Sequence, residues 1–507
     1  MTNLSQIIKN GQTLQAPAGP LAINQNDLVV LAGTPAQLYS ANVTDYVTVA
    51  AAGSAAVAST TYSANGTANG GTVHRNMLAV NPVDGSFLIA DTYQATTAGV
   101  TAWKYGQTGT LVGSVVLDST ATSLTSIQIV PLSNGNYAVL WAQASAAMYF
   151  AIIDQNLNVV VAKTQIIATV GANPLPSPFL LPLSGGGFAV TYTIAGAPGG
   201  LYLVIYTNAG AVVAGPVSIP GVASQNSGNG NGIATRLAQL SNGNIAIAIL
   251  DSNTKIMAYA LYSIVGVPVI AYTALTGATS AQSWAIPEIS VLPGFFCISV
   301  GNGTPSTVSA YVMNNAGQLQ GAAFTLAGGN QQGRLINDGT NFWLLYNTGT
   351  ASFSVKMPVT GTNFVSSSLG AATFVDAFYE RGMIVLTNGT NAYVFSVAAS
   401  GVLTLLSTAA FVVSSMVKAG IGDFCAICMA GGKFSITKYL SASIVGLASV
   451  AVAAGNAGQL VSFNPGPGSY LANPLAGSPT KAFDHSGATY IGNKGTLFSN
   501  AATLKGF

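Results

Sequence analysis

At 507 residues the chain has room for several compact units or for one long repeat array, and half of its residues are hydrophobic, enough to fill a core. Only 6% are Asp, Glu, Lys or Arg, and 15 basic against 13 acidic residues leave a formal charge of +2. Charge this thin and unclustered excludes an electrostatic footprint for nucleic acid; the surface is left to Ser, Thr, Asn, Gln and Gly, which suits a subunit that lives inside an assembly.

The chain opens on MTNLSQIIKNGQTLQAPAG, which has no basic n-region followed by an apolar core and a small-residue cleavage site, so export through the general secretory route is not expected. Every apolar run along the chain is broken by Gly, Asn, Ser or Thr before it reaches the roughly 18 residues of a spanning helix, and no membrane span is expected either. Residues 1–69 hold short apolar pieces such as DLVVLAG and YVTVAAA, and TVAAAGSAAVASTTYSANGTANGGTV reads as a Gly-rich linker or thin sheet. A boundary near residue 70 makes 1–70 an N-terminal attachment or linker segment, able to lie across a neighbouring subunit.

From there one unit recurs: NPVDGSFLIAD, PLSNGNYAVLW, PLSGGGFAVTY and QLSNGNIAIAI each join a turn to an alternating apolar run. Counted from the turn glycines Gly85, Gly135, Gly186 and Gly243, the residues two, four and six later are Phe87, Ile89 and Asp91; Tyr137, Val139 and Trp141; Phe188, Val190 and Tyr192; Ile245, Ile247 and Ile249. Gly294 and Gly422 continue the register, with Gly339 and Gly382 fitting more loosely, and the eight anchors recur about every 48 residues. That is the length of a four-stranded propeller blade. A second hairpin follows each anchor, as in YLVIYTNAGAVVAGPVSI, with Asn, Ala and Gly in the turn and Val, Ile, Thr and Tyr in the flanking strands. The expected fold is all-β: a β-propeller of seven or eight four-stranded blades over 71–451, flanked by small β-rich N- and C-terminal segments.

The stretch SGGGFAVTYTIAGAPGGLYLVIYTNAGAVVAGPVSI resembles the glycine-led repeat of bacterial and phage β-propeller proteins, a resemblance that extends over residues 75–451 and implies the fold rather than an activity. Beyond residue 451 four prolines and frequent Gly break the period, which makes 452–507 a separate C-terminal module. Its phrases AGNAGQLVSF and GNKGTLF resemble terminal segments of tailed-phage virion proteins. That resemblance implies a virion subunit such as a tail fibre, a spike or another appendage.

Residues suited to chemistry are few. Cys297, Cys425 and Cys428 are too few for a disulfide framework and read as reduced thiols; Cys428 falls in the column of Trp141 and Tyr192, and no second CxxC or His pair completes a zinc site. His74 and His485 stand far apart, and Asp484 beside His485 reads as a turn pair. Glycoside cleavage needs two facing carboxylates, for which Asp376, Glu380 and Glu288 are the best candidates, although Glu380 precedes Arg381 and Gly382 as an exposed ion pair would. Asp84–Gly85 and Asp338–Gly339 read as turns rather than calcium loops. Of four tryptophans, Trp141 is assigned to the core by register, while Trp103 and Trp284 are the candidate contacts for a stacked sugar.

No catalytic residue, cofactor or metal site is therefore expected. The expected function is that of a phage virion structural protein contributing to host attachment, made in the host cytoplasm and partnered by other virion proteins and by copies of itself, with a host surface glycan as a further partner. A carbohydrate-binding adhesin is the second reading and a glycan-cleaving enzyme the third.

Overall fold

Turn glycines and two-residue alternation together dictate hairpins, and hairpins in tandem give antiparallel meanders. The computed structural model describes most of residues 78–410, leaving out segments of connecting loops, and beyond that range the backbone of strands alone. Among the described residues the meanders are eight four-stranded antiparallel sheets and no helix. We number them as blades 1 to 8, spanning residues 78–118, 124–167, 179–219, 233–279, 288–327, 334–370, 376–410 and, for three strands of the last, 415–439. In blades 1 to 7 the strands lie side by side in chain order.

The first strand of each blade faces the axis. These inner strands are Leu78–Val80, Leu124–Pro131, Phe179–Pro182, Ile233–Gln239, Glu288–Leu292, Arg334–Asn337, Asp376–Glu380 and Ser415–Lys418. Each lies against the next, and Ser415–Lys418 lies against Leu78–Val80, so the sheets close into a propeller. The fourth strand of blade 8 comes from the other end of the chain: Ala55–Thr61 pairs antiparallel with Lys433–Tyr439, with Ser435 opposite Ala56 and Lys433 opposite Thr61. This strand falls within the segment that the sequence assigned to a linker ending near residue 70. A thin, small-residue strand suffices there because it needs only backbone pairing along one edge.

The two ends also meet in a separate five-stranded sheet. Its order is Leu14–Gln15, Leu460–Ser462, Ile444–Ala448, Leu28–Ala32 and Gln37–Ser40, so that Leu14 pairs with Val461 and Leu28 with Leu447. Segments 1–70 and 452–507, read separately in the sequence, thus contribute strands to one sheet, together with a strand from just before residue 451.

Each turn glycine that can be described at an anchor has a positive φ: 84° at Gly135, 105° at Gly186, 89° at Gly243, 81° at Gly294 and 88° at Gly339. Gly187, beside one of them, combines a φ of 87° with a backbone so close that a Cβ would run into the carbonyl oxygen of Tyr206. Gly187→Ala is therefore expected to destabilise the chain by at least ~2 kcal/mol, read as a lowered denaturant midpoint with an unchanged slope.

The core lies between blades. The second strand of blade 2, Tyr137–Gln143, was expected to show one apolar face, yet Ala138, Leu140 and Ala142 on the other face are as buried as Tyr137, Val139 and Trp141. The reason is geometric: a middle strand of a blade is covered by a neighbouring blade on each side, so both pleat faces become interior, each buried aliphatic side chain contributing about 1.5–3 kcal/mol. Trp141 packs towards blade 1, Leu140 towards blade 3. Blades 2 and 3 also share an aromatic cluster, with ring centroids 5.3 Å apart for Phe150–Phe188 and 4.7 Å for Phe150–Tyr206; burial pushes the Tyr206 hydroxyl up to about 12. Alternation is visible where one face stays open, as along the outer strand Val365–Gly370.

A candidate site at the end of the channel

Glu288 and Asp376, met in the sequence as isolated acids, occupy one register in the propeller. Glu288 pairs with Ser299 and Asp376 with Thr387, each three residues after the apolar residue that leads its second strand, Phe296 and Ile384. The same offset picks out Gln128, Phe179, Arg236, Arg334 and Ser415 in the other blades, paired with Leu140, Thr191, Ala248, Leu345 and Ile427. The equivalent of blade 1, Met77, lies outside the described residues. Phe179, Glu288, Arg334, Asp376 and Ser415 are each the first residue of an inner strand, so this ring of positions sits near the end of the channel where the chain enters the blades.

Half of the ring is charged, with alternating sign on four successive blades: Arg236, Glu288, Arg334 and Asp376. In a chain with 6% charged residues, eight positions would hold about half of one by chance. Neighbouring members of the ring touch. Arg334 Nη1 donates to Glu288 Oε1 at 2.9 Å, with the two side chains 14% and 6% exposed. The Arg236 guanidinium lies over the Phe179 ring, 5.0 Å from its centroid, and Nη1 donates to the Thr235 carbonyl at 3.4 Å. One blade further back, Gln128 Oε1 accepts from the Leu180 backbone N–H at 2.9 Å. Asn337 Nδ2 donates to Ser290 Oγ at 2.9 Å on the strand that carries Glu288. The arc thus offers an aromatic face, two guanidinium groups and a carboxylate in sequence around the axis.

The paired-carboxylate reading receives no facing pair from the backbone. Asp376 and Glu380 stand at opposite ends of one five-residue strand, and Glu288 is two blades away with its carboxylate engaged by Arg334. Trp103 is half-buried on Val100–Tyr105, the third strand of blade 1, across the ring from blade 5; Trp284 lies outside the described residues, four positions before Glu288 in the chain. Cys425 and Cys428 are three residues apart on Phe424–Ala430, hence on opposite faces of the pleat. Cys297 is fully buried, which pushes its thiol well up and leaves no reactive thiolate. Asp338 acts as a turn residue: it accepts from the backbone N–H groups of Thr340 and Asn341 at 2.8 and 2.6 Å and from the Trp343 indole N–H at 2.8 Å. His74, Asp84, Gly85, Arg381, Gly382, Asp484 and His485 lie outside the described residues.

No family model matches the sequence, and no curated protein does. Among solved structures the chain is similar to a putative 6-phosphogluconolactonase of Bacteroides fragilis, at 12% identity and a TM-score of 0.38 over 64% of this chain and 94% of that one. It is similar also to the periplasmic gluconolactonase of Pseudomonas aeruginosa, at 13% identity and 0.38 over 64% and 95%, and to Kluyveromyces lactis Hsv2p, at 10% and 0.37 over 66% and 97%. Likeness at this level is one of shape and carries no activity across. The fold and the ring define the chain as a β-propeller of eight blades with a half-charged ring at one end of its channel.

Proposed function

We propose that the chain is a structural subunit of a tailed-phage particle, a tail fibre, spike or other appendage that contributes to host attachment, and that it is not an enzyme. The observation that carries this reading is an apolar band on the rim. Val112, Val160, Val213 and Val269 occupy one register on the outer strands of blades 1 to 4 and are 63%, 51%, 43% and 50% exposed. Leu319 and Val402, before the outer strands of blades 5 and 7, are further exposed apolar residues at 45% and 48%. These are edge strands, whose outward backbone groups offer further pairing, and an apolar band on a nearly uncharged surface is what a subunit buries against neighbours. The resemblance of the C-terminal segment to virion proteins supplies the kind of assembly, with other virion proteins and copies of this chain as the neighbours.

The test has two arms. The intact chain is expected in purified phage particles at a fixed ratio to the other subunits, and its absence from them removes the reading. In solution the pure chain is expected to self-associate, and a Val112→Lys, Val160→Lys, Val213→Lys triple variant is expected to stay monodisperse and folded by light scattering and circular dichroism. Equal behaviour of the two chains would contradict the role given to the band.

A further inference from the structure

We propose that the channel arc formed by Phe179, Arg236, Glu288 and Arg334 is a binding site for a pyranose unit of a host-surface glycan. This rests on the attachment role proposed above and names its ligand. The charges of the arc are placed where they are costly, since a nearly buried ion pair such as Glu288–Arg334 loses hydration that the pairing repays only in part, and apolar residues of like size hold such a position at least as well. The rest of the ring makes the point within this molecule: Gln128, Phe179 and Ser415 carry no charge at the same register, so closure of the propeller does not require one at every blade. The three charged residues of the arc, on consecutive blades, call for a ligand that uses them.

The donor set fits a sugar ring. A pyranose presents an apolar C–H face, which packs on an aromatic ring, and a rim of hydroxyls that both donate and accept. Phe179 supplies a partly buried aromatic ring at one side of the arc, with the Arg236 guanidinium already over it; Arg236 and Arg334 are planar donors, and the Glu288 carboxylate is an acceptor between them. The Glu288–Arg334 contact already fixes both side chains, so a hydroxyl can bridge them without ordering either one anew. Asn337 donates to Ser290 across the same two inner strands, tying blade 6 to blade 5 next to the pair in the chain.

The experiment uses the full-length chain on an array of host-type glycans, followed by titration calorimetry with each glycan that binds. Two variants remove one contact each: Phe179→Leu, which loses the aromatic ring and stays apolar, and Glu288→Gln, which keeps the shape and loses the charged acceptor. The expected result is binding of at least one glycan by the unaltered chain and a loss of about tenfold or more in affinity for each variant, measured well below the melting transition, since Glu288→Gln is expected to melt lower once Arg334 loses its counter-charge. No binding by the unaltered chain, or binding that both variants leave unchanged, overturns the site. Glycan binding by a chain that is absent from particles would uphold the site and remove the virion reading; presence in particles without glycan binding would do the reverse.

Discussion

A chain that begins at residue 63 is expected to lose most of its net stability, because the outer strand of blade 8 is gone. Without Ala55–Thr61, the Lys433–Tyr439 strand has no partner on that side, and blade 8 is left with three strands in a ring whose other blades have four. A closed ring removes the unprotected edges that an open array would keep, so losing a closing strand acts on the whole propeller. The expected loss is on the order of 5 kcal/mol, comparable with the entire folding free energy of many domains. Its signature is a large fall in melting temperature, partly restored by adding the missing strand as a peptide that pairs with the free edge. A truncated chain melting with the parent would show that the N-terminal strand does not close the ring.

The second large effect is expected at Asp118, at the end of the outer strand of blade 1. Its side chain is 2% exposed and ties blade 1 to blade 2, accepting from the Trp141 indole N–H at 3.2 Å and pairing with Lys163 at 2.7 Å. Thr120 adds its backbone N–H at 2.9 Å and its hydroxyl at 2.8 Å. Asp118→Ala leaves the buried indole N–H without its acceptor and Lys163 without its counter-charge, for an expected loss of about 3 kcal/mol. The same contacts set a pH dependence. Burial opposes ionisation of Asp118, but the Lys163 ammonium and the two Thr120 donors outweigh it and hold the carboxyl below its usual value. A lowered folded-state value means that the contribution is complete above the ordinary carboxylate value near ~4 and is lost as pH falls through the lower one. Asp338 is shifted in the same direction, against its burial, by the Trp343 indole and the turn N–H groups. Stability measured from pH 6 down to pH 2 is therefore expected to fall, and to fall less steeply in Asp118→Asn. A parallel decline in the two chains would contradict the assignment.

The blades were legible in the sequence because each carries its own punctuation, a turn glycine followed closely by an alternating run, as at Gly135 and Tyr137; the five anchor glycines among the described residues have positive φ. Local signals of this kind survive any tertiary context. The strand Ala55–Thr61 was not legible as part of the propeller, since AAVASTT has no anchor and its partner lies more than 370 residues away in the chain. The channel ring escaped for a different reason. Its members precede their turn glycines by seven residues at Phe179 and Arg236, by six at Glu288 and Asp376, and by five at Arg334, because the anchor turns differ in length. Alignment on glycine therefore scatters a column that the hydrogen-bond ladder aligns. Glu288 and Asp376 were found as candidates because acids are scarce, while Arg236 and Arg334 carried no signal of their own. Both-sided burial of the second strands, as at Leu140 and Ala138, was likewise invisible, because it arises from neighbouring blades and not from the strand.

The central claim, a ring of eight blades closed by the N-terminal strand, is tested most directly by an experimental density map of the full-length chain viewed along the channel axis. Eight four-stranded sheets are expected, with Ala55–Thr61 on the rim of the last and Ser415–Lys418 beside Leu78–Val80. Seven blades, or a last blade whose outer strand comes from the C-terminal segment, would contradict it.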